Sequence, residues 1–238
     1  MIAFRNVVQS IGKGRNRRDL LAEANFVFSE DRLGLAISTT EEAEVIMDLL
    51  CGVLRPEFGS IWRDGRPSWP IGRTGQYRAD LTAKATLHFL ASIYNLNFKA
   101  CEDLLFGMID VGANYNKALI KWPRNLLLEF GYITALMPEF DIYIVESTIN
   151  TANETFNDDF NSLFAERIKG KKLIYYSNNE RYLSKYVTRT VGLLDGHFYL
   201  FENPSDALKA VEIVSAKPDA SDPVPERAEE PANEPLDF

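Results

Sequence analysis

The sequence has little of what marks secreted, membrane-spanning or metal-binding proteins. It contains only two cysteines, Cys51 and Cys101, too few for a disulfide scaffold and without the paired spacing of a zinc site. Its two histidines, His88 and His197, have no partners at metal-ligand or catalytic-triad spacing. No apolar run approaches the ~20 residues of a membrane span, and the first residues lack the layout of a secretory signal. We therefore expect a cytoplasmic protein with buried thiols and no metal site.

Negative charge dominates the chain but is unevenly distributed. The formal net charge of -8 argues against a generic nucleic-acid-binding protein. Residues 215–238 contain seven acidic residues and five prolines, with too little apolar surface to offset the entropy of ordering. We predict a folded domain over residues 1–214 and a disordered acidic, proline-rich tail over residues 215–238.

Apolar periodicity predicts an α/β protein. Three short runs, residues 2–9, 24–28 and 33–37, predict an antiparallel β start, and Glu41 to Leu50 has helical spacing. Residues 81–137 form a predicted helical block. Further strands are predicted at Asp141–Glu146 and Lys172–Tyr176, separated by a helix over residues 156–168, and a β-hairpin turns at Asp195-Gly196. Strands that alternate with helices predict a largely parallel sheet.

Four segments carry a resemblance to a known family. Residues 50–61, Leu-Cys-Gly-Val-Leu-Arg-Pro-Glu-Phe-Gly-Ser-Ile, look like the G-x-x-x-P-x-x-G-x-I pattern after the first helix of ABC ATPases. Three further elements are matched by residues 68–72, Ser-Trp-Pro-Ile-Gly, residues 81–82, Leu-Thr, and residues 140–146, Phe-Asp-Ile-Tyr-Ile-Val-Glu. The chain therefore resembles the ATP-binding subunit of ABC exporters for capsular and related polysaccharides. The resemblance implies an ABC-type P-loop NTPase-like core with an antiparallel β subdomain and a helical subdomain at about residues 81–137.

The residues of the implied nucleotide-binding loop do not suit ATP. A working P-loop needs glycines whose N–H groups surround phosphate, a lysine, and a hydroxyl for Mg²⁺. The resemblance puts this loop on residues 37–45, with Ala43 at the lysine position and Glu44 and Val45 at the next two. The segment's glutamates would then face a site built for a polyanion. We predict no useful ATP affinity and no cofactor.

The other positions that the resemblance implies are replaced as well. The substitutions fall at Glu146 for the Walker B aspartate, Ser147 for the general base, Asn178 for the switch histidine, Arg78 for the metal-sensing glutamine, Asn153 for the aspartate of a following loop, and Pro123-Arg124-Asn125-Leu126 for the signature motif. Gln76, two residues before Arg78, is the alternative candidate for the metal-sensing glutamine. Without a carboxylate base, hydrolysis is not expected.

Several of these residues also have ordinary structural interpretations. The glutamates at positions 41, 42 and 44 suit the acidic first turn of a solvated helix. Arg78 and Arg124 fit surface cations equally well. The basic cluster Lys13, Arg15, Arg17 and Arg18 is best explained as a solvated turn, with a phosphate or lipid contact as the alternative.

The resulting hypothesis is a catalytically inactive ABC ATPase-like subunit or scaffold in bacterial polysaccharide export. It would be peripheral at the inner membrane through a membrane permease or another export or biosynthesis subunit, with no nucleic-acid partner. A homodimer, or an asymmetric pair with an active ABC ATPase, is an alternative, although both the loop and the signature motif are replaced. A third hypothesis is an enzyme with changed chemistry, in which Glu146 or the cluster Glu41, Glu42 and Glu44 acts on a cationic or sugar ligand.

Overall fold

A computed structural model describes residues 1–73, 77–146 and 151–216. Within these ranges it has eight strands and seven α-helices. The strands are β1 (Ile2–Ile11), β2 (Arg18–Phe28), β3 (Arg32–Ala36), β4 (Phe58–Arg63), β5 (Ile142–Val145), β6 (Lys172–Tyr176), β7 (Arg189–Leu194) and β8 (His197–Phe201). The helices are α1 (Thr40–Cys51), α2 (Ala83–Tyr94), α3 (Phe98–Met108), α4 (Arg124–Ala135), α5 (Glu154–Arg167), α6 (Glu180–Tyr186) and α7 (Pro204–Ser215).

The first sheet is antiparallel, with the strand order β2-β1-β4. Its central strand is irregular, because the register against β4 shifts between Arg5 and Val8 and Asn6 has a positive φ of 48°. Gly59 of β4 lies against this bulge with φ 81°. A Cβ atom at Gly59 would come within 2.2 Å of the Asn6 carbonyl oxygen. Glycine is therefore required at this close approach of two backbones.

The second sheet has the order β5-β6-β3-β7-β8. Its first four strands are parallel, and β8 is antiparallel to β7. The prediction that Ile142–Val145 lies in a parallel sheet beside residues 173–176 is confirmed, with Ile142 opposite Lys172 and Val145 opposite Tyr175. The prediction that residues 33–37 extend the antiparallel start is wrong, because β3 lies between β6 and β7 and is parallel to both. A strand buried on both faces suits that central position.

Alternate residues of β5 enter two different hydrophobic clusters. Ile142 and Ile144 pack with α1 and the antiparallel sheet, while Tyr143 and Val145 pack on the opposite face with α4 and α5. From α5, the fully buried rings of Phe156, Phe160 and Phe164 join this second cluster, at the four-residue spacing that lines up one helix face. The sheet is thus covered on both sides.

The hairpin between β7 and β8 agrees with its sequence prediction. Asp195 and Gly196 have positive φ angles of 46° and 79°, as a two-residue hairpin turn requires. Phe198 of this hairpin packs against Phe4 and Phe28 of the first sheet, with ring centroids 5.4 and 5.2 Å apart. Aromatic contacts of this kind join the two sheets into one core.

The two cysteines differ in burial. Cys101 is buried, as predicted, but Cys51 at the end of α1 is only half-buried, and burial raises the pKa of both thiols.

Of the predicted tail, Ser215 ends α7 and Ala216 follows it, and the other tail residues lie outside the described ranges. Within the described ranges, no helix combines the length and hydropathy needed to cross a lipid bilayer.

Candidate functional site

The carboxyl ends of β3, β5 and β6 meet at one edge of the parallel sheet. Ser38 and Thr39 follow β3, Glu146 follows β5, and Ser177 and Asn178 follow β6. In open α/β sheets, ligands bind at this edge of the sheet. We therefore treat this carboxyl edge as the candidate functional site. It contains Glu146 and Asn178, two of the positions that the sequence singled out.

The connection from β3 to α1 is short, because α1 begins at Thr40 and only residues 37–39 intervene. Thr39 forms a capping box: its Oγ1 accepts from the Glu42 N–H at 3.2 Å, and the Glu42 carboxylate accepts from the Thr39 N–H at 3.3 Å. Arg18 of β2 also donates to the Glu42 carboxylate. Helix, cap and ion pair fix the conformation of this segment.

The residues predicted for the phosphate-binding loop lie largely within α1. Ala43 is fully buried in the core, Glu44 is exposed, and Val45 is half-buried. A P-loop needs a glycine-rich turn before its helix so that several N–H groups converge on phosphate. Residues 40–42, which fall within that expected turn, are already helical. The residues present therefore do not fit a phosphate cradle.

Arg73 reaches the carboxyl edge because the preceding segment runs along β5. The Ser68 N–H donates to the Ile142 carbonyl oxygen and the Ile71 N–H to the Ile144 carbonyl oxygen, each at 2.8 Å. The Glu146 N–H then donates to the Ile71 carbonyl oxygen at 2.9 Å. These parallel contacts set Arg73, two residues later, beside Glu146.

Arg73 makes three contacts with described residues at this edge. Its Nε donates to Glu146 and its Nη1 to Asp48 of α1, both at 2.5 Å, and its Nη2 donates to the Glu44 carbonyl oxygen at 3.2 Å. Glu146 is 9% exposed. Burial raises the pKa of Glu146, and the Arg73 guanidinium opposes that shift. A fixed side-chain cation thus compensates the two carboxylates internally.

Tyr176, the last residue of β6, occupies the middle of the same edge. Its hydroxyl oxygen accepts from Asn178 Nδ2 at 3.1 Å, and Thr40 of α1 also hydrogen-bonds to it. Burial raises the pKa of this phenol, so it stays neutral near neutral pH. Asn178 therefore lies against the Tyr176 hydroxyl.

The other predicted positions are more dispersed. Arg78 pairs with Asp80 on the surface, Nη2 to Oδ2 at 2.6 Å. Asn153 caps α5 by accepting from the Phe156 N–H at 3.1 Å. Pro123 precedes α4, whose first residues are Arg124, Asn125 and Leu126. Ser147 and Gln76 lie outside the described residues.

Sequence reasoning missed Arg73 and Asp48, the two partners that surround Glu146. Arg73 directly follows the Trp69-Pro70-Ile71-Gly72 element, so its position was a usable signal. Asp48 is a polar residue among the apolar positions of α1, which was a weaker one. Asp48 and Glu146 are far apart in sequence, so their shared contact with Arg73 could not be read from the pattern.

An antiparallel sheet, a parallel sheet with β3 in its interior and a group of helices between β4 and β5 define the fold of an ABC transporter ATP-binding cassette. Solved structures of ABC transporter cassettes have the same fold. The dimeric structure of MJ0796, a bacterial ABC transporter cassette, superposes with a TM-score of 0.68 at 13% identity, covering 85% of this chain and 98% of that one. The structure of an ATP-binding subunit of an ABC transporter gives 0.68 at 15% identity, covering 91% and 95%. The predicted fold class is confirmed.

Curated proteins with similar sequences include ATP-binding proteins of capsule polysaccharide export and polysialic acid transport. The capsule polysaccharide export ATP-binding protein CtrD of Neisseria meningitidis is 23% identical over 92% of this chain and 100% of its own length. The polysialic acid transport ATP-binding protein KpsT of Escherichia coli is 20% identical over 87% and 97%. The ATP-binding protein BexA of Haemophilus influenzae is 21% identical over 87% and 96%. No family model matches the chain.

Proposed function

We propose that this chain is a cassette subunit of a capsular or related surface-polysaccharide exporter that does not hydrolyse ATP. The export role is supported by similarity over nearly the whole length of CtrD and KpsT. One observation carries the loss of ATP chemistry: only three residues separate the end of β3 from the start of α1, so a capped helical turn takes up part of the segment expected to surround phosphate.

The charges at the carboxyl edge support the same proposal. Glu41 and Glu44 are exposed at the start of α1, where they would oppose a triphosphate. Glu146 is already paired with Arg73, so a magnesium ion would have to displace a guanidinium held by two carboxylates. Burial makes such a displacement costly, because the cation would be removed from a partly buried ion pair.

Nucleotide binding tests this part of the proposal. Millimolar Mg-ATP should leave the melting temperature of the protein unchanged, and calorimetry should detect no binding. Ligand at ~100 times its dissociation constant would add ~2.7 kcal/mol to the free energy of unfolding, a shift that is easily measured. CtrD, assayed in parallel, serves as the positive control. Saturable ATP binding that ADP competes away would refute the proposal.

An apolar groove supports a protein partner for this subunit. Val53, Phe89 and Ile93 are 69%, 58% and 56% exposed, and together with Trp69 and Tyr94 they border a groove of about 390 Å³. Clustered exposed apolar side chains mark interaction sites in proteins. We assign this groove to the membrane-embedded subunit of the exporter.

Co-purification from native membranes tests the partner assignment. Wild-type protein should retain a multi-spanning membrane protein encoded with the export genes, identified by mass spectrometry. Ile93→Glu should lose it, since a charge in the groove must be desolvated on docking. Ile120→Glu is the matched control, because Ile120 is 72% exposed and does not border the groove. Equal recovery with both variants would overturn the assignment.

A further inference from the structure

A second cavity, of about 260 Å³, lies between α4 and the segment that carries Arg73. Its described lining is mainly apolar or aromatic. It includes Leu119, Leu127, Leu128, Tyr77 and Tyr132. Tyr77 is held in position because its hydroxyl hydrogen-bonds to Thr134 Oγ1 at 2.6 Å. The cavity wall is thus built on α4 and on a side chain anchored to it.

Gly131 leaves space in the cavity wall that folding does not require. It lies inside α4 and lines the cavity, and its φ is not positive. A Cβ atom at this position would meet nothing within 4 Å. Glycine in a helix interior is destabilising relative to alanine. The backbone and the packing would accept a side chain here, so the missing one enlarges the cavity.

The charged residues in the described lining are both arginines, Arg73 and Arg124. Arg73 is balanced by Glu146 and Asp48. Arg124 is exposed and has no hydrogen bond or ion pair to any described residue. It is also the first residue of α4, whose first turn has no side-chain cap and no acidic residue. The cavity is therefore apolar inside and positively charged beside Arg124.

We propose that this cavity binds a small amphipathic anion, with its apolar part against Tyr77, Leu127 and the open face of Gly131 and its acidic group at Arg124. Pockets that are mainly apolar, with a few convergent polar groups, are the common form of small-molecule sites. A guanidinium prefers a phosphate or carboxylate as its partner. The cavity shares Arg73 with the carboxyl edge, but the acidic group is assigned to Arg124, and the proposal does not depend on the proposed function.

Calorimetry on the full chain with hexyl phosphate and with heptanoate tests this site. At least one of the two should bind saturably with one equivalent per chain, and the better one defines the acidic group. Hexanol and inorganic phosphate should each bind at least about tenfold more weakly, because each lacks one half of the ligand. If neither hexyl phosphate nor heptanoate binds, the proposal fails.

Two variants locate the binding. Gly131→Leu should abolish it by filling the cavity, and Arg124→Gln should weaken it about tenfold, as expected for one charge-assisted contact. Gly107→Leu is the matched control, since Gly107 also lies in a helix and its Cβ would meet nothing within 4 Å. If Gly131→Leu does not fold, Leu127→Trp fills the same cavity from the next turn. Unchanged affinity in Arg124→Gln and in the folded cavity-filling variant would overturn the proposal.

Discussion

The N-termini of α1 and α4 have opposite electrostatic character. At α1, Thr39 caps the helix, Glu41 and Glu42 lie in its first turn, and Arg18 pairs with Glu42. At α4, Pro123 provides no side-chain cap, and the helix opens on Arg124. A helix N-terminus carries partial positive charge, which acidic residues neutralise and cations reinforce. The chain therefore satisfies the helix end expected to meet phosphate and leaves the other helix end positive.

Removal of Arg73 should give the largest effect on this contrast. Arg73→Met would leave the buried carboxylate of Glu146 without its partner, and we expect a loss of about 2 to 3 kcal/mol in the free energy of unfolding. Urea denaturation near neutral pH measures it. Arg78→Met is the control, because the Arg78–Asp80 pair is highly exposed and its loss should change the stability much less.

A double variant separates the ion pair from general packing. Arg73→Met combined with Glu146→Gln removes the unpaired charge and should recover part of the lost stability. If Arg73→Met costs no more than Arg78→Met, the carboxyl edge is not held together by this ion pair.

The cap of α1 should give the next largest effect. Thr39→Ala removes the acceptor for the Glu42 N–H and should lower the free energy of unfolding by about 1 to 2 kcal/mol. Thr39→Ser keeps the hydroxyl and should remain close to wild type. Chemical denaturation of the three proteins under one condition decides the matter. Equal stability of the alanine and serine variants would show that the capping box does not fix this helix start.

At α4, a new cap should produce a smaller change of opposite sign. Pro123→Ser adds a side-chain acceptor at a position with extended backbone angles, φ -55° and ψ 139°. Because loss of proline itself changes the unfolded state, the proper reference is Pro123→Ala. We expect the serine variant to be more stable than the alanine variant by about 0.5 to 1 kcal/mol. A serine variant no more stable than alanine would mean that this end is already satisfied.

The smallest expected effect is a change in pH dependence at Glu129 of α4. Burial raises the pKa of Glu129 above its ordinary value, and side-chain hydrogen bonds from Asn153 and Thr151 partly oppose this. A raised folded-state pKa stabilises the fold below the unfolded-state pKa of about 4.3, and this stabilisation is lost as the pH rises through the folded-state value. Melting curves of Glu129→Gln should thus gain on wild type as the pH increases from about 4. If the melting temperatures of the two proteins changed with pH in parallel, the raised pKa of Glu129 would be contradicted.

Local patterns predicted much of the fold. Strands β5 and β6 could be predicted from short apolar runs because both of their faces are buried. The hairpin could be predicted because Asp195-Gly196 is typical of a two-residue turn with positive φ angles. The position of β3 was misassigned because a short apolar run does not specify its neighbours. Strand pairing in a parallel sheet depends on long connections, and the sequence spacing does not encode which strands they bring together.

The sequence by itself also contained the start of α1. Thr39 and Glu42 have the spacing of a capping box, and the three glutamates suited a first helical turn. The contacts of Glu146 were decided only by the tertiary structure. Arg73, Asp48 and Glu146 come from an extended segment, a helix and a strand end, and hydrogen bonds along β5 bring them together. Helix caps form between residues a few positions apart, so sequence determines them. Buried ion pairs between distant segments exist only once the sheet has aligned its strands.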